Sequence, residues 1–183
     1  YTFASSADGL TVTVTEKSTG DADTISGVET LRFDNGEIAI SFDDVEGRMV
    51  LTGSDGSDDI EVVGSVPVTV QGSDGADTIV GGDGDDHIDG GLGNDDIDGG
   101  LGNDTITGGE DDDVLAGGDG DDTLAGDAGD DILTGGDGED VAVFAGGQSD
   151  YTFASSADGL TVTVTEKSTG DADTISGVET LRF

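Results

Sequence analysis

Nine aspartates stand at one place in a nine-residue pattern, and carboxylates are the hard oxygen donors that hold divalent cations. From Gly72 the chain reads GSDGADTIV, GGDGDDHID, GGLGNDDID, GGLGNDTIT, GGEDDDVLA, GGDGDDTLA, GDAGDDILT and GGDGEDVAV, eight contiguous nonapeptides ending at Val143. A ninth, GSDGSDDIE at 53–61, is separated from them by the ten residues VVGSVPVTVQ. Position six of the pattern is Asp58, Asp77, Asp86, Asp95, Asp104, Asp113, Asp122, Asp131 and Asp140. Such self-similarity means that each unit buries its apolar face only by stacking on its neighbours. With no cysteine and a single histidine, the donors on offer are carboxylates and backbone carbonyls. That set suits Ca²⁺ better than zinc or copper, and Mg²⁺ would demand a tighter octahedron.

Other chemistry fits poorly. Triad catalysis has little to work with, since His87 occupies the variable position seven and reads as an exposed strand residue. Paired carboxylates can cleave glycosides, but here the period accounts for every acidic pair and no aromatic cleft surrounds one. An EF-hand would need flanking helices and a glutamate at the twelfth loop position, and neither is present. Asn103-Asp104-Thr105 matches a glycosylation sequon, yet Asp104 is wanted as a ligand and the match is taken as accidental. The chain is therefore expected not to be an enzyme.

The elements that must position these carboxylates follow from the other places in the pattern. Glycines at positions one, two and four are expected to supply φ > 0 and close approach to an ion. Positions seven to nine alternate polar, aliphatic, polar, as a short strand with one inward side chain does. The inward residues are Ile79, Ile88, Ile97, Ile106, Leu115, Leu124, Leu133 and Ala142, the last ending the aliphatic column. Loop and short strand in alternation suit a solenoid of two parallel sheets. One aliphatic side chain per nine residues is little burial against the entropy of ordering nine backbones.

Charge makes that balance worse. The whole chain carries 5 Lys+Arg against 43 Asp+Glu, a formal charge of −38. Residues 53–150 hold 25 Asp, 3 Glu and no Lys or Arg. Such composition normally stays disordered, so a cation that enters only the folded state must contribute folding free energy. The sign of the charge also excludes a basic nucleic-acid binder, no apolar run is long enough to insert in a membrane, and no signal-peptide pattern opens the chain.

The run 72–143 resembles the RTX (repeats-in-toxin) β-roll of secreted bacterial proteins, with haemolysin-type nonapeptides. The resemblance implies an all-β fold: a right-handed parallel β-roll, two nonapeptides to each coil. It implies Ca²⁺ between loops two repeats apart, held by position-six aspartates and by loop-glycine carbonyls. Those glycines would be Gly82, Gly84, Gly91, Gly93, Gly100, Gly102, Gly118 and Gly120. One edge would stack Asp58, Asp77, Asp95, Asp113 and Asp131, and the other Asp86, Asp104, Asp122 and Asp140. If the ten-residue insertion fills one half turn, adjacent pairs give up to about seven sites. Asp111 in place of the fourth glycine is expected to weaken the sites beside Asp113, and Ser54, Ser73 and Asp127 replace second glycines. The insertion, with Pro67 and no acidic residue, is expected to start or close the coil, and Asp140 to sit on a fraying or capping rung.

A second repeat is longer. Residues 1–33 recur without change at 151–183. Four segments follow: a flanking or capping β unit at 1–52, the roll at 53–143, a connector at 144–150, and a truncated second flank at 151–183. Within the flank, Leu10–Thr15 alternates apolar and polar, as do Ile38, Ile40 and Phe42. Asp34-Asn35-Gly36 signals a tight hairpin, Glu16–Ala22 and Asp43–Gly47 read as turns, and Arg48–Thr52 as a strand entering the roll. GDADTISGVETLRFDNGEIAI is similar to a segment found beside RTX arrays, with Ile25, Val28, Leu31 and Phe33 as apolar anchors. Its expected work is to cover open sheet edges, and Phe144 would seat the next cap. The second copy stops just before its own hairpin turn, as an excerpt from a longer tandem array would; an engineered duplication is the alternative.

Two functions remain. The chain reads as a calcium-folded structural repeat of a large secreted bacterial protein, an adhesin-like extension or extracellular filament built from units of 150 residues joined end to end. Alternatively it is the folding and export module of a type I-secreted RTX enzyme or toxin whose active domain lies elsewhere.

Overall fold

The structure, a computed structural model, describes residues 49–183 in full and five backbone strands before them. Those are Thr2–Ser5 (β1), Val12–Thr15 (β2), Ala22–Ile25 (β3), Thr30–Phe33 (β4) and Gly36–Phe42 (β5). Next come β6 (Met49–Thr52), β7 (Asp59–Val63), β8 (Val68–Asp74), β9 (Thr78–Gly82) and β10 (His87–Leu92). They are followed by β11 (Asp96–Leu101), β12 (Thr105–Glu110), β13 (Val114–Asp119), β14 (Thr123–Ala128), β15 (Ile132–Asp137) and β16 (Val141–Val143). After a 3₁₀ turn at Gln148–Asp150 the second flank forms β17 (Tyr151–Ser155), β18 (Thr161–Glu166), β19 (Ala172–Ser176) and β20 (Thr180–Arg182).

The nine-residue period becomes a parallel solenoid of about five coils, because successive nonapeptides go to alternate sheets. One sheet runs β17-β18-β19-β15-β13-β11-β9-β7-β1-β2-β3, and the other β20-β16-β14-β12-β10-β8-β6-β5-β4. In-register pairing puts one inward aliphatic on the next. Ile60, Ile79, Ile97, Leu115, Leu133 and Ile175 line the first sheet. Leu51, Val70, Ile88, Ile106, Leu124, Ala142 and Leu181 line the second. From Ile79 to Ala142 these side chains are at most 1% exposed. Between Ile79 and Ala142 the core is thus a double file of single residues, joined toward its ends by Met49, Val62, Val68 and Val164.

Several expectations change here. From β9 to β15 each repeat strand is longer than three residues, since it runs on through the first two positions of the next repeat, as in His87–Leu92, whereas β16 keeps to three. The aliphatic column does not end at Ala142, because β20 adds Leu181 beyond it and β19 adds Ile175 beyond Leu133. The insertion neither starts nor closes the coil: β8 lies between β6 and β10 in the second sheet. Its Val68 and Val70 are fully buried, so apolar residues hold the half turn without a carboxylate.

Both flanks form the same antiparallel meander in the same register, Thr2 opposite Thr15 in one and Thr152 opposite Thr165 in the other. β4 and β5 pair antiparallel with Phe33 opposite Gly36, which brackets the hairpin signal. Ala22, read as the last residue of a turn from Glu16, instead begins β3; the rest of that turn, the turn at 43–47, Val28, Asp34, Asn35 and Arg48 lie outside the described residues. Phe144 does seat the second flank. Its ring stacks on Phe183 at 5.3 Å and meets Tyr151 edge-on at 5.5 Å, and the Tyr151 hydroxyl donates to the Ala145 carbonyl at 2.6 Å.

Candidate metal centre

Position six sits where the loop turns into the next strand, at the edge of the solenoid. All nine position-six aspartates are buried, none more than 5% exposed. They form the two files that the resemblance to RTX repeats implied. In the first, the backbone N–H of Asp58 donates to Asp77 Oδ1, Asp77 to Asp95, Asp95 to Asp113 and Asp113 to Asp131, at 2.8–2.9 Å. In the second, Asp86 donates to Asp104, Asp104 to Asp122 and Asp122 to Asp140, again at 2.8–2.9 Å. Val68 donates its N–H to Asp86 Oδ1 at 2.8 Å, so the insertion enters the second file as a donor only.

One oxygen of every carboxylate except that of Asp58 is thereby satisfied. The other is not. Oδ2 of Asp77, Asp95, Asp104, Asp113, Asp122, Asp131 and Asp140 is buried without a hydrogen-bond partner. Buried polar atoms are ordinarily paired, and a file of orphaned anionic oxygens points to a partner of another kind. Asp58 differs, since its Oδ2 accepts from the Ser54 N–H at 2.6 Å and the Ser54 hydroxyl at 3.0 Å.

The glycines explain how backbone oxygen reaches the same place. A Cβ on Gly90 would overlap Asp95 Oδ2 and lie 2.7 Å from the Gly108 carbonyl oxygen. Gly99 stands in the same relation to Asp104 and Gly117, and Gly117 to Asp122 and Gly135. The first glycine of a repeat is therefore bare because a carboxylate and a carbonyl from the next coil converge on it. Its φ is not positive, contrary to the sequence expectation; positive φ is confined to positions two and four, as at Gly100 and Gly102. Space, not torsion, selects glycine at position one.

The carbonyls named from the sequence stack along the solenoid. Those of Gly82, Gly91, Gly100 and Gly118 each lie against the second glycine one coil on. Gly84, Gly102 and Gly120 do so at position four, and Gly93 stands over the Gly75 carbonyl. At three substituted positions the loop keeps its shape: Ser73, Asp111 and Asp127 adopt φ of 87°, 77° and 72°. Short polar side chains tolerate that region better than most, at a cost.

The electrostatics match the geometry. Burial is the main cause that pushes Asp104 and Asp113 up to about 7 and Asp77 and Asp122 to about 6. The accepted N–H bond opposes the shift, and neighbouring carboxylates add to it. Asp95, Asp131 and Asp140 are raised for the same leading reason. Among the described residues no three His, Cys, Asp or Glu side chains converge as a metal-binding group. A cation here must draw on backbone oxygen, which the position-one carbonyls offer. On that test, hard oxygen donors with no thiol or imidazole, the site fits Ca²⁺.

Two residues outside the repeats complete the files. Asp131 N–H donates to Asp173 Oδ1 at 3.1 Å, and Asp140 N–H to Glu179 Oε2 at 2.8 Å. Asp140, 0% exposed, is thus on a capped rung and not a fraying one. A signal for both was present, because Asp173-Thr174-Ile175 repeats Asp77-Thr78-Ile79 and Glu179-Thr180-Leu181 echoes Asp122-Thr123-Leu124. Asp173 is itself pushed up to about 7, chiefly by burial. A second ladder runs outside the first through position five. There the N–H of Asn103 donates to Asp85 Oδ1, Asp121 to Asn103, and Glu139 to Asp121, at 2.8–3.0 Å.

A profile of the RTX calcium-binding nonapeptide repeat, four copies long, matches residues 71–106 and again 107–142. No curated protein matches the chain. Among solved structures the chain is similar to the crystal structure of the extracellular lipase LipA from Serratia marcescens, at 18% identity and a TM-score of 0.31. That likeness covers 97% of this chain and 29% of the lipase chain, so this chain spans under a third of its length.

Proposed function

Because this chain belongs, through residues 71–142, to the family of RTX calcium-binding nonapeptide repeats, we propose that it is a calcium-folded structural segment of a large secreted protein. It works as one unit of an extracellular extension or filament, of the kind adhesins use, and not as an enzyme. The observation that carries this reading is the set of seven buried, partnerless Oδ2 atoms in a stretch that contains no Lys or Arg. Bound calcium supplies the positive charge those oxygens lack. Asp77, Asp95, Asp104, Asp113, Asp122, Asp131 and Asp140 would hold it through Oδ2, with position-one carbonyls such as Gly108 and Gly117 beside them. Asp86 stands in the same file. Adjacent position-six aspartates within the two files would hold up to about seven ions.

The residues then act as a switch set by calcium concentration. Where free calcium is very low, as inside a cell, mutual repulsion keeps the array extended and fit for type I export. At millimolar external calcium the two files close. Because the identical flanks recur 150 residues apart, the unit is read as one of a series. Circular dichroism in EGTA and then in excess calcium tests the reading. A β signal should appear only with calcium, and a signal that chelation leaves unchanged would refute it.

A further inference from the structure

The same 33 residues dock at the two ends of the solenoid through opposite edges. At the start, β1 pairs parallel with β7, Thr2 opposite Glu61 and Ala4 opposite Val63, while β3 is the outer strand. At the end, β19 pairs parallel with β15, Leu133 opposite Ile175, while β17 is the outer strand. β17 has the sequence of β1, and β19 that of β3. Among the described strands, each meander therefore leaves unpaired the edge that its twin uses.

We propose that one flank serves both ends at once, splicing successive rolls into a continuous rod. In a tandem chain β19 holds β15 of the preceding roll, and β17 accepts β7 of the following one. The strand directions allow it. β15 and β19 are parallel, β18 is antiparallel to both β19 and β17, and β1 is parallel to β7. The strands of the next roll thus point the same way as those of the last.

The second sheet closes by the same rule. β20 pairs parallel with β16. Its twin β4 pairs antiparallel with β5, which pairs antiparallel with β6, which runs parallel to β8. The splice in that sheet is β20 followed by the next unit's β5 and β6. Both sheets then receive three junction strands beside five roll strands, β7 to β15 in one and β8 to β16 in the other. Equal numbers keep the sheets level. At about 4.8 Å per strand, eight strands give a rise of about 38 Å per unit. A bead-on-string arrangement has no reason for this match.

The inference rests on the tandem structural reading above, and its test separates the two. The protein is residues 1–183 followed by a second copy of 34–183. As the chain has no cysteine, Ala154→Cys is combined with a cysteine at the second unit's equivalent of Val63. By the Ala4–Val63 register these are direct partners, within disulfide reach. Mild oxidation in calcium should link them almost fully, whereas Phe153→Cys, on the opposite face of the strand, should link poorly. Small-angle scattering of the cysteine-free two-unit chain should show one rigid rod, about 38 Å longer than the single unit. A calcium-dependent β signal without the crosslink, or with two jointed bodies in scattering, overturns the splice alone. No β response to calcium overturns the functional reading itself.

Discussion

Replacing Asp104 by asparagine should have opposite effects with and without calcium. The side chain is 1% exposed, its Oδ1 accepts the Asp86 N–H at 2.8 Å, and its Oδ2 has no donor. An amide oxygen can keep that hydrogen bond, so the substitution removes charge and little else. Burial first, then Asp86, Asp122 and Asp85, push the Asp104 carboxyl from 3.8 to about 7. At 1.36 kcal/mol for each pH unit between those values, keeping the group ionised at neutral pH costs on the order of 4 kcal/mol. Asp104→Asn should therefore raise the metal-free folded fraction. The assay is the β signal in EGTA as an excluded osmolyte such as trimethylamine N-oxide is added, which favours the compact state. In calcium the sign reverses, since Asp104 has acidic neighbours on both sides of its file and loses a ligand to each. The calcium midpoint should rise by on the order of tenfold or more. Asp58→Asn, at the end of its file and with Oδ2 already bonded to Ser54, should move the midpoint less. Equal midpoints for the two variants, or a shift of one sign in both conditions, would refute the reasoning.

Protons should act in the same way. Folded-state carboxyls near 6 to 7 at Asp77, Asp104, Asp113 and Asp122, against 3.8 ordinarily, mean the folded chain holds more protons than the unfolded chain across that window. Metal-free stability therefore falls as pH rises through it, and a calcium-stripped sample should show more β signal at pH 5 than at pH 8. The calcium midpoint should run the other way and rise on acidification, as protons compete for the oxygens. Asp111→Gly and Asp127→Gly should raise the melting midpoint in calcium, because φ of 77° and 72° costs an L-residue roughly 1–2 kcal/mol and glycine's extra entropy offsets only part of that. Leu115→Ala, fully buried between Ile97 and Leu133, should cost about 2–5 kcal/mol by denaturant melting in calcium. Asp173→Ala should leave the Asp131 N–H without its acceptor, a loss of about 1–3 kcal/mol, seen as faster amide exchange confined to β19 and the start of β15.

Much of the solenoid could be read directly from its period. A fixed nine-residue spacing forces the same side chain to the same depth in every half turn, so the aliphatic residues from Ile79 and the position-six aspartates followed from counting, while the sorting of those aspartates into two files came from the resemblance to RTX repeats. What the count missed are residues that do the same job without the same spacing. Val68 and Val70 fill a half turn with no ligand, because a strand there needs only apolar side chains facing inward and an N–H for Asp86. Asp173 and Glu179 stand six residues apart instead of nine, so the period does not reach them although their local triplets echo it. The position-five ladder stayed hidden because Asp and Asn in a turn look like ordinary solvated loop residues. Which edge of a meander docks is not a local property at all. Identical residues use β1 at one end and β19 at the other, so the neighbouring strand decides.

Both three-stranded meanders belong to the same sheet of the solenoid, β1–β3 at one margin and β17–β19 at the other. That is a matter of parity. Each nonapeptide turns the chain halfway round, so an even number of half turns between flanks brings both meanders out on the same side of the molecule. Gaining or losing one nonapeptide would send the second meander to the opposite side, while gaining or losing two would only change the spacing. Recombination in steps of eighteen residues would therefore vary length and keep every flank aligned along one side, and a step of nine would alternate them.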